Sequence, residues 1–376
     1  MDHPRLILHV GGAKCGSSAF QAALSAQPAV AAAGGPKVVY AALHAKRGLV
    51  HGDELRKLAR KSKFGYISST TAGELLNMPL ADRNRMLADL QALMDAHDLV
   101  ILSNEAWLGR HNALHKGGFL EGLGQPFGVF AAVRPQIEFL NSAWWQWGAW
   151  TGQAFETWIQ NRVSGALWNT SLRQWRRNPA CTGVTVRLLS RDIVGDFLNA
   201  YGLQPHDTLP RGKASNVSLP GEVLRLFQRH PELRAGPGRA VMDFILSGFR
   251  LGDQPTPWVM PADLGQQIIE QSHKDNQRLG GLLPPEQADR MRATPGWWSV
   301  EAYADRVLQS ALPLPVDREG ALEMQTRLLQ AQGDTGARPL PADAPAADID
   351  AMNAGRVAAL YKAARMAPGP GRSGNA

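Results

Sequence analysis

Cysteine is nearly absent: Cys15 and Cys181 are the only two in 376 residues. Two thiols cannot build a disulfide framework or a thiolate metal cluster, and Cys181 reads as a small buried residue. No apolar run reaches the length of a membrane helix. Leu6–Val10 is too short for the apolar region of a signal peptide and runs into glycine, not a cleavage site; this predicts a cytoplasmic protein. Charged residues are few, at 19%, and the net charge of +7 is spread along the chain without a dense Lys/Arg block. No nucleic-acid motif accompanies it, so nucleic acid is not an expected partner. The positive balance suits an anionic ligand or an anionic lipid surface. No internal repeat is present.

What is there is a long, 44% hydrophobic chain, enough for one large α/β domain or two smaller ones. Short apolar runs at Leu6–Val10, Lys37–Tyr40, Leu99–Leu102, Phe127–Val133 and Val184–Leu189 predict strands. Helical spacing predicts helices at Asp53–Lys61, Ala81–Ala96 and Ile193–Tyr201, with a long Trp-rich helical stretch after Pro135. Strands alternating with helices predict an α/β fold: a central parallel sheet flanked by helices. Beyond Leu203 the pattern is helical, at Leu219–Gln228, Arg239–Phe249, Ala262–Arg278, Arg318–Gln332 and Asp348–Met366, which gives a helical C-terminal half. Composition shifts at Pro313. The expected organisation is therefore a main domain over 1–312 and a helical and linker extension over 313–376, with a disordered tail from Ala367.

The stretch around which this organisation turns is Leu6–Gln21, LILHVGGAKCGSSAFQ. Strand, glycine turn and helix form a geometry that binds phosphate, because the first N–H groups of a helix lack intrahelical partners and glycine lets an anion approach. Lys14 can add a point charge; Ser17 and Ser18 can donate hydroxyls. The plainer alternative is an ordinary strand-to-helix turn. An ATP-type loop, GxxxxGK[ST], is excluded because Lys14 precedes Gly16.

The order Gly11-x-x-Lys14-x-Gly16-Ser17-Ser18 resembles the 5′-phosphosulfate loop, GxxKTGT/ST, of sulfotransferases that use 3′-phosphoadenosine 5′-phosphosulfate (PAPS). A second element matches: Arg134 at a strand end with Ser142 eight residues later resembles that family's 3′-phosphate pair. A guanidinium offers a forked, charge-assisted contact and a hydroxyl adds another. The resemblance covers about Leu6–Leu203. It implies a P-loop-like sulfotransferase fold of bacterial type, with Gly12, Ala13, Lys14, Cys15, Gly16, Ser17, Ser18, Arg134 and Ser142 at the donor, PAPS as co-substrate, and no metal. Two departures stand out. Cys15 replaces the family's Thr or Ser; its thiol, beside Lys14 at a helix N-terminus, is expected to have a lowered pKa and to be reactive. The family's late RxGxxG-type loop is unrecognisable, and Arg211-Gly212-Lys213 is a poor partial match.

Ser103-Asn104-Glu105 follows the Leu99 strand. The resemblance implies that Glu105 is the base taking a proton from an acceptor hydroxyl, with Lys14 as the other catalytic group; a capping or ion-pairing carboxylate is the plain alternative. His111, four residues before His115, is an alternative base, although histidines at this spacing are usually structural. Trp144, Trp145, Trp147, Trp150 and Trp158 read first as core packing and second as a surface for a sugar or a membrane interface; Trp297 and Trp298 join them or simply pack. The expected acceptor is a hydroxyl on a saccharide or lipid, with peripheral membrane contact as a further possibility. Two other readings are a nucleotide kinase or NTPase on a similar sheet, and a non-catalytic nucleotide-binding protein.

Overall fold

Leu6–His9 (β1) is buried along its whole length because it is an inner strand of a six-stranded sheet. The other strands are Val38–His44 (β2), Gly48–His51 (β3), Leu99–Ser103 (β4), Phe127–Val133 (β5) and Cys181–Leu188 (β6), arranged in the order β3-β2-β4-β1-β5-β6. The computed structural model describes residues 4–210, 218–234, 236, 241–333, 339–341 and 343–366. All neighbouring pairs are parallel except β2 with β3. The architecture is α/β, a mostly parallel sheet with helical connections, and every α-helix or strand after β6 among the described residues is a helix.

Continuous burial explains the inner strands. β4 and β5 carry no exposed residue, as expected where both sheet faces are covered. The edges were harder to read. β3 has four residues and no alternating pattern, and the sequence predicts no strand there. It pairs antiparallel with β2 after a tight turn closed by the Arg47 N–H on the His44 carbonyl at 3.0 Å. β6 begins at Cys181, three residues before the expected start, because this outer strand is half exposed and its first residues carry no apolar run.

Register sets where the strand ends lie. His9 is level with Ser103 on one side and Phe130 on the other, so the loop after β1 emerges between the carboxyl ends of β4 and β5. The chain leaves β1 toward β2 on one side and leaves β5 toward β6 on the other, an arrangement that opens a crevice at the strand ends. Beneath this edge Phe20, Phe130, Phe197 and Tyr201 pack ring against ring, joining helix Ser17–Ala26, β5 and helix Ile193–Ala200.

The chain forms two compact units, each assembled from separate stretches of sequence. The first comprises Met1–Phe139, Val163–Ser215 and Gln267–Ala302 and contains the whole sheet; the second comprises Leu140–Arg162, Asn216–Gln266 and Tyr303–Ala376. In the second, helix Ala346–Met366 packs on helices Arg318–Gln332, Val241–Ser247 and Gly221–Arg229. Asp350 is buried there and accepts two hydrogen bonds from the Arg229 guanidinium, each 2.7 Å. Arginine planes also lie over Trp145, Trp150, Trp158 and Trp258. No helix among the described residues is long and apolar enough to cross a membrane.

Candidate functional site

The loop between β1 and helix Ser17–Ala26 is shaped by three residues in the left-handed region, Gly11, Lys14 and Gly16, and by two close approaches. Gly11 (φ +77°) lies against the second residue after β4: a Cβ on it would sit 2.6 Å from Glu105 Cα and 2.7 Å from Glu105 Cβ. A Cβ on Gly12 would meet the Ala132 carbonyl oxygen of β5 at 2.6 Å. Lys14 also has positive φ, at 60°, a conformation costing roughly 1–2 kcal/mol for a residue with a Cβ. The loop therefore nests between β4 and β5, and this nest positions Lys14.

Helix Ser17–Ala26 starts with no side-chain cap and no acidic residue in its first turn. No acidic side chain of its own first turn therefore offsets the positive end of this helix. Ser17 and Ser18 are buried at this start. Ser17 donates to the Gly12 carbonyl at 3.4 Å, and the Tyr66 hydroxyl donates to Ser18 Oγ at 3.4 Å. Ala13 and Gly16 complete the turn, half exposed.

Cys15 is fully buried and its N–H is bonded to the Gly12 carbonyl at 3.0 Å. The expected reactive thiol is corrected here. Burial pushes its pKa up to about 12, outweighing the lowering by the charges of Arg134 and Lys14. Its side chain is core, and only its backbone faces the turn.

Glu105 opens the short 3₁₀ turn Glu105–Arg110, whose cap is Asn104; the Asn104 side chain accepts from the Ala106 N–H at 2.8 Å and donates to the Ser69 carbonyl at 2.5 Å. Burial raises the Glu105 pKa above the usual carboxylate range, opposed by a hydrogen bond from Gln21 and by the Lys14 charge. Gln21 in turn donates to Ser103 Oγ at 3.0 Å, and Ser103 shares a 2.7 Å hydrogen bond with His9 Nδ1. His9 is wholly buried, which drops its pKa to about 3 and keeps it neutral.

Arg134 follows β5 directly. Its guanidinium donates to the Lys14 carbonyl at 3.4 Å and to Glu138 at 2.7 Å, while its Nε–H is buried with no partner. Lys14, Glu105 and Arg134 thus meet around one loop, drawn from three adjacent strand ends. Ser142 lies further along helix Gln136–Gln146, in residues of the second unit.

The remaining candidates are dispersed. His111 is buried edge-on to Trp175, and burial lowers its pKa; its neighbour His115 pairs with Glu121. No group of three or more His, Cys, Asp or Glu able to hold a metal occurs among the described residues. Within the second unit Trp144 packs edge-on to Phe155 and Trp158, Trp145 donates to the Pro257 carbonyl, and Trp150 donates to the Trp145 carbonyl. Trp297 is buried in the first unit, and Trp298 donates to the Met291 carbonyl. Arg211-Gly212-Lys213 and the tail from Ala367 lie outside the described residues.

Four contacts of the site were not singled out in the sequence. Glu138, four residues after Arg134 in a helix, had a legible i,i+4 signal. Gln21, Tyr66 and Trp168 had none, since each reaches the site through the fold. The chain matches no protein-family model, no curated protein and no solved structure.

Proposed function

We propose that this protein is a PAPS-dependent sulfotransferase with a P-loop-like sulfotransferase fold, transferring a sulfuryl group to an acceptor hydroxyl on a saccharide or lipid. The reading is carried by one observation: the loop holding Lys14 is nested between the strand ends that bear Glu105 and Arg134. The residues fit a doubly phosphorylated donor. Gly11 and Gly12 let the loop backbone pack against Glu105 and the Ala132 carbonyl, the helix behind it has no side-chain cap, and a buried Nε–H of Arg134 has no partner.

The donor supplies an activated sulfuryl group and a phosphate leaving group. Lys14 and the N–H groups at the start of helix Ser17–Ala26 hold the 5′-phosphate and take up the charge that grows there as the bond to sulfur breaks. Ser17 and Ser18 line the same turn. Arg134 holds the 3′-phosphate. Glu105 accepts the acceptor hydroxyl proton; its raised pKa makes it a stronger base than an ordinary carboxylate. Such transfer needs alignment and charge stabilisation more than covalent chemistry.

The test is calorimetric titration with 3′,5′-bisphosphoadenosine, with ATP and NAD as controls, followed by radiolabelled sulfate transfer into cell-extract fractions. Selective binding of the bisphosphate is expected. Arg134→Ala should weaken it about 10- to 100-fold, the range for losing a charged hydrogen bond. Lys14→Ala should lower turnover by about 10²–10³. Full donor affinity in Arg134→Ala overturns the site assignment, and Mg²⁺-dependent ATP hydrolysis overturns the reaction.

A further inference from the structure

Arg134 is held from behind by a buried polar clamp with two neighbouring residues of one helix at its root. The Arg134 carbonyl accepts the Trp168 indole N–H at 2.8 Å. Two residues on, the fully buried Gln136 exchanges amide hydrogen bonds with Asn276, at 2.6 and 3.2 Å, and donates to the Ala166 carbonyl at 3.4 Å. Asn276 also donates to the Trp297 carbonyl at 3.0 Å. Trp168 begins helix Trp168–Arg176. The first N–H groups of that helix, from Asn169 and Thr170, both donate to the Asp275 carboxylate at 2.9 Å, and the Thr170 hydroxyl adds 2.7 Å.

Asp275 and Asn276 are consecutive on helix Ala262–Gly280. Successive helix positions project about 100° apart, so the two side chains reach different neighbours. Asp275 fixes the helix that carries Trp168; Asn276 fixes the side chain of Gln136, two residues after Arg134. Asp275 supplies the cap that Leu167, at the N-cap position of the Trp168 helix, cannot. Every buried amide of Gln136 and Asn276 has a protein partner, which favours a rigid network over a merely tolerated one.

We infer that Asp275 and Asn276, acting through Trp168 and Gln136, are positioning residues for Arg134, setting where its guanidinium stands at the end of β5. This rests on the reading that Arg134 contacts a phosphate of the donor, and it assigns a role in that site to a helix more than 130 residues downstream.

Two measurements test it on the full chain. The first needs no ligand: the ¹⁵N–¹H resonance of Arg134 Nε–H, assigned by its loss in Arg134→Lys. Trp168→Phe keeps one six-membered aromatic ring and removes the pyrrole ring with its N–H; Asn276→Leu removes the amide pair. Both should shift or broaden the Arg134 resonance while the buried Nε–H of Arg225, in the other unit, stays in place. An unmoved Arg134 resonance in folded Trp168→Phe and Asn276→Leu protein overturns the inference. Should Asn276→Leu fail to fold, Trp168→Phe decides alone.

The second is a double-mutant cycle with 3′,5′-bisphosphoadenosine. Trp168→Phe should weaken binding several-fold in the wild-type background and have no further effect on Arg134→Ala. Equal losses in both backgrounds would mean that the clamp acts on stability and not through Arg134. Absence of bisphosphate binding by the wild type removes the sulfotransferase reading and leaves the resonance to decide the positioning role.

Discussion

Gly11 and Glu105 stand so close that no side chain fits between them: a Cβ on Gly11 would lie 2.6 Å from the Glu105 Cα. The two belong to different strand ends, one after β1 and one after β4. Their contact fixes the height of the proposed base beside the Lys14 turn, and φ of +77° at Gly11 adds a conformational demand to the steric one.

Gly11→Ala should therefore be costly twice over. The left-handed conformation costs roughly 1–2 kcal/mol and the overpacking about 1–3 kcal/mol, so urea unfolding should show a loss of about 2–5 kcal/mol. Turnover should fall by more than stability predicts, because Glu105 must move. A variant with wild-type stability and turnover would show that the loop and the β4 end are not mechanically linked.

Glu105→Gln should leave bisphosphoadenosine affinity unchanged and abolish transfer. In the wild type the base must be deprotonated, and burial raises its pKa above the ordinary carboxylate value. Activity should thus rise with pH through that raised pKa, giving an acid limb above the usual carboxylate range. Turnover by Glu105→Gln within a factor of a few of wild type moves the base to another residue, His111 first.

His9 ties stability to pH. Its pKa falls from 6.5 to about 3 on burial, so between those values the unfolded chain binds a proton that the folded chain does not. Stability is fully present above pH 6.5 and is lost as pH falls toward 3, by up to about 1.4 kcal/mol per pH unit from this group. Urea titrations of wild type and His9→Gln from pH 7 to 4 should differ in slope by about one proton. Parallel curves would mean that His9 is protonated in the folded state.

Cys15 should be inert. With its pKa pushed up to about 12 by burial, almost no thiolate exists at pH 8, and the side chain is out of reach of reagents. In a Cys181→Ser background, iodoacetamide should label Cys15 only after unfolding. Rapid labelling of the native protein would restore the reactive thiol that its position beside Lys14 suggests.

Much of the sheet was legible because its signal is local. Leu99–Leu102 and Phe127–Val133 are unbroken apolar runs, and a strand covered on both faces leaves no other pattern. Gly11, Lys14 and Gly16 announced a turn with positive φ at two of its glycines. The β3 edge and the start of β6 were not legible, since short or half-exposed strands have neither alternation nor a continuous run. The division into units was hidden for a related reason: residues 140–162 and 216–266 join 303–376 through contacts between segments far apart in sequence.

By itself the sequence determined the inner strands and several of the longer helices, that a glycine turn carrying Lys14 follows the first strand, and that Glu105 and Arg134 come just after strands. Tertiary structure decided that these ends are neighbours, because strand order depends on which apolar faces pair and not on their order along the chain. It also decided the chemistry of buried groups. Cys15 beside Lys14 looks activated in one dimension, yet the cost of burying a thiolate outweighs the nearby positive charge. Trp168 and Asp275 carry no local pattern of function, and their link to Arg134, like that of Asn276, exists only once the helices close around the end of β5.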